Sequence, residues 1–536
     1  MQTLLNYASY NTIVGLLAKE RVKYLRKNKD DRHNTLELDC PIEDLASRRQ
    51  LSRMMPPRST WVRPRRRHEN NDTANRRKNA VKAIIFTIRR DRRLQKKEGI
   101  EFRYLDELDS FVELIQNHLA DSNLSFQSPT LVPIYKEHKI QADGSIDVTC
   151  RPLSVYTQLK DKIILALASR YLTRLIDSHL HPYLLSYRPP REFNGMRKHI
   201  TDFNDGIRLV ENFRQRNNDS PIYAADCDIM KFYDIIPHDT VRRCFADMLE
   251  QCDLSGEGRE QVMRIINAYL NSYNFYTNAW LVSQESQQIF YKIRRQFAKT
   301  NAPITCRIKW VDSAFDLPPE RQTTLGVSQG GALSLIVANV VLNHVDTPLL
   351  ANHDPNRLFV RYCDDMLIPH TNLDECHRLI NAYAESLRAH GLQYHPFSEV
   401  SSTKDGDKTR SDFWHIKSHS PYLWGEGEGN SNRYVGFLGY ELRRDGRIRL
   451  RKGNMERFHT KFQRKYHALQ RFRKKKPEEY ASYHKRTFDT LLSGLDYYQA
   501  FDKTHFFNGA QYRYLIKERE RLRNVTRPRA TIPNNE

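Results

Sequence analysis

Three short pieces of the chain combine residue types that can do chemistry on phosphates. In Tyr223-Ala-Ala-Asp226-Cys-Asp228-Ile-Met-Lys-Phe232-Tyr233-Asp234 a β-prone run ends in two acids two residues apart. Strand periodicity places both on one face, and carboxylates crowded there repel unless a cation or a proton intervenes. In Phe359-Val-Arg361-Tyr362-Cys363-Asp364-Asp365-Met366-Leu-Ile368 two adjacent acids interrupt apolar β-prone text, a pattern that suits a tight turn presenting carboxylate to a metal. Between these pieces, Gly326-Val-Ser328-Gln329-Gly330-Gly331 leads into an apolar helix. Its glycines permit close backbone approach, and the helix start offers free N–H groups to a polar ligand. Each piece alone has a plain reading as a helix-capping strand end, an exposed turn or a Gly-Gly before a helix. Together they supply three hard-oxygen ligands, which two Mg²⁺ ions need to activate a 3′-hydroxyl and neutralise a triphosphate during in-line displacement.

The elements around them must hold these acids in register. Leu131 to Tyr135 and Ile146 to Val155 are β-prone and flank Ala142-Asp143-Gly144, a hairpin signal. Helical text runs from Tyr10 to Leu25, Ala80 to Leu119 and Gln158 to Leu180, and the last 85 or so residues are helix-forming, basic and rich in Tyr and Phe. Residues 46–80 carry turn signals and read as a linker. Ser398 to Arg410 and Gly425 to Arg433 read as loop insertions between β-prone segments.

The 536 residues carry 86 Lys+Arg against 64 Asp+Glu, a net charge of +22, which favours a polyanionic partner. Arginines and lysines crowd residues 63–97 and again 443–529, two basic tracts around a less basic middle, as arms about a nucleic-acid channel would be. Eight cysteines with no Cys-x-x-Cys give neither a disulfide framework nor a zinc spacing, so a reducing cytosol is the expected compartment. No apolar run approaches bilayer-spanning length, and no secretory leader is expected.

In this order the pieces resemble the palm of a reverse transcriptase. Asp228-Ile-x-x-Phe232-Tyr233-Asp234 is similar to that family's first palm motif, and Gln329-Gly330 with Ser334 and Asn339 to its second. Tyr362-Cys363-Asp364-Asp365 is a variant of the Tyr-x-Asp-Asp box, and Phe437-Leu438-Gly439-Tyr440 looks like the primer-grip turn. Upstream, the 131–155 hairpin closing in Arg151-Pro152-Leu153, Asp161, and Ser186-Tyr187-Arg188-Pro189 are similar to the fingers of group II intron and retron enzymes. The likeness covers roughly residues 125–445 and, without text for an RNase H, endonuclease or protease, is greatest to free-standing, defence-associated prokaryotic enzymes.

The resemblance implies an α+β right-hand fold. Residues 1–120 would be a basic helical extension with a linker, 121–220 the fingers, 221–445 the palm with insertions about 250–320 and 398–433, and 446–536 a helical basic thumb. Asp228, Asp364 and Asp365 would bind the catalytic Mg²⁺ pair, with Mn²⁺ a substitute; Asp226 competes for the first role, but only Asp228 has the family's five-residue step to Tyr233. Tyr233, beside Phe232, would be a steric gate against a 2′-hydroxyl. Arg151, with Lys136 or Lys139, would grip the triphosphate, and Gln329 and Gly330 would line the nucleotide or template pocket.

The expected partners are a structured RNA template, a DNA product and dNTPs, with no membrane. Two departures stand out. Ser328 and Leu335 replace the usual prolines, and Gly391-Leu392 is followed by His395-Pro396-Phe397, with Lys404 or Lys408 coming late for a general acid. Two alternatives remain beside RNA-directed DNA synthesis: an RNA-templated or template-independent nucleotidyltransferase, and a catalytically silent RNA-binding scaffold.

Overall fold

The computed structural model describes residues 3–31, 42–62, 73–189, 203–297, 300–311, 322–400, 413–427, 429–451 and scattered positions from 453 to 517. The expected thumb therefore lies almost wholly outside the described residues, as do Lys404 and Lys408.

Helices α1 (Leu4–Tyr7), α2 (Tyr10–Asp31), α3 (Ile42–Arg53), α4 (Thr73–Glu98) and α5 (Arg103–Ala120) build the N-terminal region. The pattern of α5 explains why: Leu105, Leu108, Phe111, Val112, Ile115 and Leu119 recur at helical spacing and are all buried. The expected linker at 46–80 is shorter than its polar text suggests. Helix α3 reaches Arg53 and α4 begins at Thr73, because Leu51, Met54 and Met55 supply buried anchors. This bundle is continuous with the rest of the protein, since one apolar core runs from Leu4 to Leu392.

Next come β1 (Thr130–Ile140) and β2 (Ile146–Val155), an antiparallel hairpin turning at Gly144, whose φ of +78° only glycine adopts freely. Helix α6 (Leu159–Ile176) is the spine on which α2, α3 and α5 pack. After α7 (Phe203–Arg216) follow β3 (Tyr223–Cys227), α8 (Phe232–Ile235), α9 (His238–Glu250) and α10 (Gly256–Asn271). A π-helical turn at Tyr276–Leu281, α11 (Val282–Glu285), α12 (Tyr291–Gln296) and β4 (Ile304–Arg307) complete the expected insertion. Strand β4 pairs in parallel with β2, so this segment returns to the hairpin and widens its sheet.

The central sheet is built from β5 (Val360–Tyr362), β6 (Asp365–His370), β7 (Phe397–Ser398) and β8 (Ser418–Trp424) around β3, in the order β5-β6-β3-β8-β7, with β9 (Ser431–Asn432) paired to β8. Helices α13 (Ser334–Leu350) and α14 (Leu373–Ala389) pack together, with α14 against the sheet and α9 against α13. Residues 398–433, read from sequence as insertions, contain β8, a direct neighbour of β3 in the sheet. A small antiparallel sheet of β10 (Tyr434–Phe437), β11 (Tyr440–Arg443) and β12 (Ile448–Leu450) closes the described fold. Helices and mixed sheets thus give the expected α+β class.

Among the described residues no helix is long and apolar enough to cross a membrane, and the seven cysteines are free.

Candidate active site

Strand β3 delivers the first two acids to different partners. Asp226 lies within the strand, 2.8 Å from Nδ1 of the buried His419, whose Nε2 is 3.1 Å from the Phe413 carbonyl. Both partners only accept, so both ring nitrogens donate when the two bonds coexist and the imidazole is then cationic. Burial opposes that charge, but Asp226 and the two hydrogen bonds raise the His419 pKa above its ordinary value. Asp228 lies just past the strand. Its amide donates to Ser418 Oγ at 3.0 Å, and its carbonyl accepts from the His395 amide at 3.0 Å. Its Oδ2 is 3.8 Å from Lys417 Nζ. Burial pushes this carboxyl up, with Asp364 and Asp226 adding to it and Lys417 and His395 opposing.

The other pair sits where the sequence suggests a tight turn. Tyr362 pairs with Asp365 across β5 and β6, leaving Cys363 and Asp364 at the tip. Cys363 takes a φ of +57°, and its amide donates to Ser186 Oγ at 3.0 Å. The Ser186 carbonyl in turn accepts from Asn339 on α13 at 3.1 Å, so the second piece braces the turn of the third. Burial, then Asp364, Asp228 and Asp226, push the Asp365 carboxyl up to about 7. Among the described residues, no group of three or more His, Cys, Asp or Glu side chains is gathered closely enough to hold a metal ion unaided. The donor chemistry nonetheless fits a hard divalent cation: carboxylate oxygens from a strand end and a turn share one field, and positive charge would relieve it.

The second piece is tied to the first through backbone. Val327 N donates to the Tyr233 carbonyl and Gly326 N to the Ile236 carbonyl, both at 2.8 Å. A Cβ on Gly326 would stand 2.8 Å from the Asp234 carbonyl oxygen, so only glycine fits. Gln329 Nε2 donates to Asp234 Oδ1 at 2.7 Å, which turns part of the expected pocket-lining amide toward a buried acid. The Gln329 carbonyl accepts from Ser154 N at 2.9 Å, locking Gly330 against β2. Tyr233 is half-buried, and its phenol is raised by burial and then by Cys363, Asp364 and Tyr187, so the ring faces the acidic turn. Phe232 is a core residue, 3% exposed, with its ring edge-on to Tyr233.

Three cations face Asp234 and lower its carboxyl against a larger effect of burial: Lys231, Lys136 and Arg151. Arg151 opposes Ile134 across the hairpin, and Lys136 sits at the irregularity between Tyr135 and Glu137. Lys139 pairs instead with Asp147, farther toward the hairpin turn, so of the two candidate lysines Lys136 is the one brought to the site. Lys231, at φ +44°, also donates through Nζ to the Trp310 carbonyl, anchoring the returning segment.

Phe437-Leu438-Gly439-Tyr440 forms a two-residue hairpin with Leu438 at φ +51° and Gly439 at φ +79°. Two central residues with positive φ give the turn that matches strand twist. Leu438 pays in backbone strain and packs against Gly206 of α7. Between this turn and the acids lies a cavity of about 190 Å³, lined among others by Asp226, Asp228, Asp365, Lys417, Trp414 and Arg451. The Arg451 guanidinium stacks 4.3 Å from the Trp414 ring centre. His419, Lys417, Trp414 and Arg451 carried no signal in the motif reading. His419 lies in β8 and Lys417 immediately before it, and the apolar Tyr-Leu-Trp at the end of Ser418–Trp424 was the available clue to that strand.

The family model described as reverse transcriptase (RNA-dependent DNA polymerase) matches residues 147–398. That span holds Arg151, Asp228, Tyr233, Gln329, Gly330, Asp364 and Asp365 and leaves out the 437–440 turn. No curated protein matches the chain. Among solved structures, apo telomerase from Candida tropicalis is similar at 13% identity, covering 98% of this chain and 85% of that one, with a TM-score of 0.39. Its form truncated from the C-terminal domain covers 82% and 95% at 13% identity, with a TM-score of 0.35. Candida albicans telomerase in complex with a fragment of telomeric RNA covers 79% and 62% at 15% identity, with a TM-score of 0.31.

Proposed function

We propose, for a chain whose residues 147–398 form a reverse transcriptase domain and which is thus an RNA-directed DNA polymerase, that Asp228, Asp364 and Asp365 hold two Mg²⁺ ions and that a structured RNA is copied. The observation that carries this reading is that adjacent strands β3 and β6 bring Asp228, at the end of one, and Asp365, at the start of the other, to the wall of one cavity. Bound there, such ions would activate a primer 3′-hydroxyl and neutralise the leaving pyrophosphate.

The chain's own residues supply the rest. Arg151 and Lys136, whose charges act on Asp234 from the hairpin, would take the triphosphate, while Tyr233 would lie under the incoming sugar. Asp226 is engaged by His419, which favours Asp228 as the metal ligand of β3's end. Lys417, whose Nζ stands 3.8 Å from Asp228 Oδ2, is our candidate for the proton donor. The Phe437–Tyr440 turn, across the cavity from the acids, would hold the primer end.

Likeness of the fingers and palm text to free-standing prokaryotic enzymes supports a role in antiviral defence in the cytoplasm. The test is incorporation of labelled dNTPs on a primed RNA with Mg²⁺. Asp364→Asn with Asp365→Asn should abolish synthesis and leave RNA binding intact; retained synthesis would overturn the assignment. Bound RNA without incorporation by the unaltered protein would turn the reading to an RNA-binding scaffold.

A further inference from the structure

Helix α4 has one committed side and one open one. Ala83, Ile84, Thr87, Ile88 and Asp91 are buried, and the helix packs on α2. Two of its arginines work inside the bundle. Arg92 donates to Tyr10 and to Asp109, and Arg90 pairs with Asp91 at 2.7 Å, itself bonded to Tyr104 at 2.8 Å.

Five of the remaining cations point the other way. At about 100° per residue, Lys78, Lys82, Arg89, Arg93 and Lys96 fall within an arc of roughly 60°, along about 27 Å of helix. All five are exposed. None has an ion-pair partner among the described residues, and the one acid between Arg77 and Lys97 is the buried Asp91 on the far side. Phe86, on the flank of this arc, leaves 43% of its surface exposed. A row of like charges without counter-charges repels itself, and an exposed ring beside it gains nothing from the bundle.

We propose that this face of α4 is a docking surface for single-stranded or looped RNA, with the five cations on successive phosphates and Phe86 stacked on an unpaired base. The choice of RNA among polyanions rests on the polymerase reading above. Closed duplex DNA offers the cations phosphates but offers the ring no free base face. A lipid surface would need an apolar face, and the apolar side of α4 is already used against α2.

The test uses the full chain, with Lys82→Ala, Arg89→Ala and Arg93→Ala combined in one variant and Phe86→Ala in another. The probes are a labelled RNA hairpin with a long loop, a blunt DNA duplex and phosphatidylserine vesicles, each titrated over a range of salt. Loss of three phosphate contacts on a single strand should reduce the slope of log affinity against log salt by about 2. Phe86→Ala should remove about tenfold of the preference for looped RNA over duplex, within the range of one base stack. Unchanged slope, or equal losses on duplex DNA or vesicles, would overturn the proposal.

Both variants should fold as the parent does, by superimposable thermal melts, and should extend a pre-annealed oligo(dT)–poly(rA) substrate normally at saturation. Failure of the parent protein to extend that substrate would count against the polymerase reading alone, because the binding slopes are measured without turnover.

Discussion

The Arg361 guanidinium and the Asp346 carboxylate meet in an interior where both side chains are 0% exposed, joining β5 to α13 behind the Asp364–Asp365 turn. Arg361 Nε donates to Asp346 Oδ2 at 2.7 Å, and the guanidinium also lies over the rings of Phe359 and Tyr383. Burial opposes the charge, yet Asp346 and Tyr383 hold Arg361 above its ordinary pKa. Its backbone is fixed as well, accepting from Leu185 N at 2.9 Å and donating to the Tyr183 carbonyl at 3.1 Å. The residue immediately before the Tyr-Cys-Asp-Asp box is therefore held through both its guanidinium and its backbone, with Nη1 buried and without a hydrogen-bond partner among the described residues.

Breaking one half of this pair strands the other. Arg361→Met is expected to destabilise the protein by about 3–5 kcal/mol, because Asp346 is left charged or protonated in an apolar site. Adding Asp346→Leu should recover much of that loss, since a pair of packed apolar side chains has no desolvation penalty. Chemical denaturation of the two single variants and the double variant measures both effects. A double variant no more stable than Arg361→Met would contradict the account.

Much of this site was legible because its chemistry is local in sequence. Asp364-Asp365 between apolar β text reads directly as a turn, and the Asp143-Gly144 hairpin is found where its turn residues place it. What could not be read is what arrives from afar. His419 reaches Asp226 from 193 residues away, and Arg361 needs Asp346 on a different element. Strand β8 was hidden because the polar, glycine-rich text on both sides looks like loop while its own seven residues hold the apolar anchors Tyr422 and Trp424. Arg92 and Arg93 are neighbours in a basic run, yet one is tied to Asp109 and the other is exposed with no ion-pair partner among the described residues, a distinction set by helix phase against the bundle.

Tyr233 supports a prediction about substrate choice. Its ring faces the Cys363–Asp364 turn and packs edge-on to Phe232 in the core, so its position is fixed from below. Tyr233→Ala should open space for a 2′-hydroxyl and improve the ratio of ribonucleotide to deoxyribonucleotide incorporation by about 10- to 100-fold, the range that pocket sterics deliver. Single-nucleotide extension with each substrate class reads this ratio. No gain in ribonucleotide use would remove the gate from Tyr233.

Gly330 joins the second motif to the hairpin. Its φ is +90°, and a Cβ there would stand 2.5 Å from Leu153 Cδ1, two residues from Arg151. Gly330→Ala combines a left-handed backbone penalty of roughly 1–2 kcal/mol with overpacking of about 1–3 kcal/mol. The expected outcome is a raised KM for dNTP, because the hairpin that carries Arg151 must shift. Leu153→Ala in the same chain removes the clash and should restore part of the loss, leaving the backbone penalty. Equal KM for Gly330→Ala and the parent would show that the hairpin position does not depend on this contact.

Asp234 gives the pH prediction. Burial lifts its carboxyl from the ordinary 3.8 to about 6, against the pull of the Gln329 hydrogen bond and of Lys231, Lys136 and Arg151. Between those two values the folded protein binds more protons than the unfolded chain, so this group makes stability fall as pH rises from about 4 to about 6 and then level off. The full effect is about 3 kcal/mol at about 1.4 kcal/mol per pKa unit. Asp234→Asn keeps an oxygen to accept from Gln329 but removes the charge. Above pH 6 or so the variant should therefore be more stable than the parent, by less than the full effect because three cations are left facing one another. Toward pH 4 the advantage should disappear as the parent's carboxyl protonates. Denaturation of both proteins across this range decides the matter, and a difference that does not change with pH would show that Asp234 titrates at the same pH folded and unfolded.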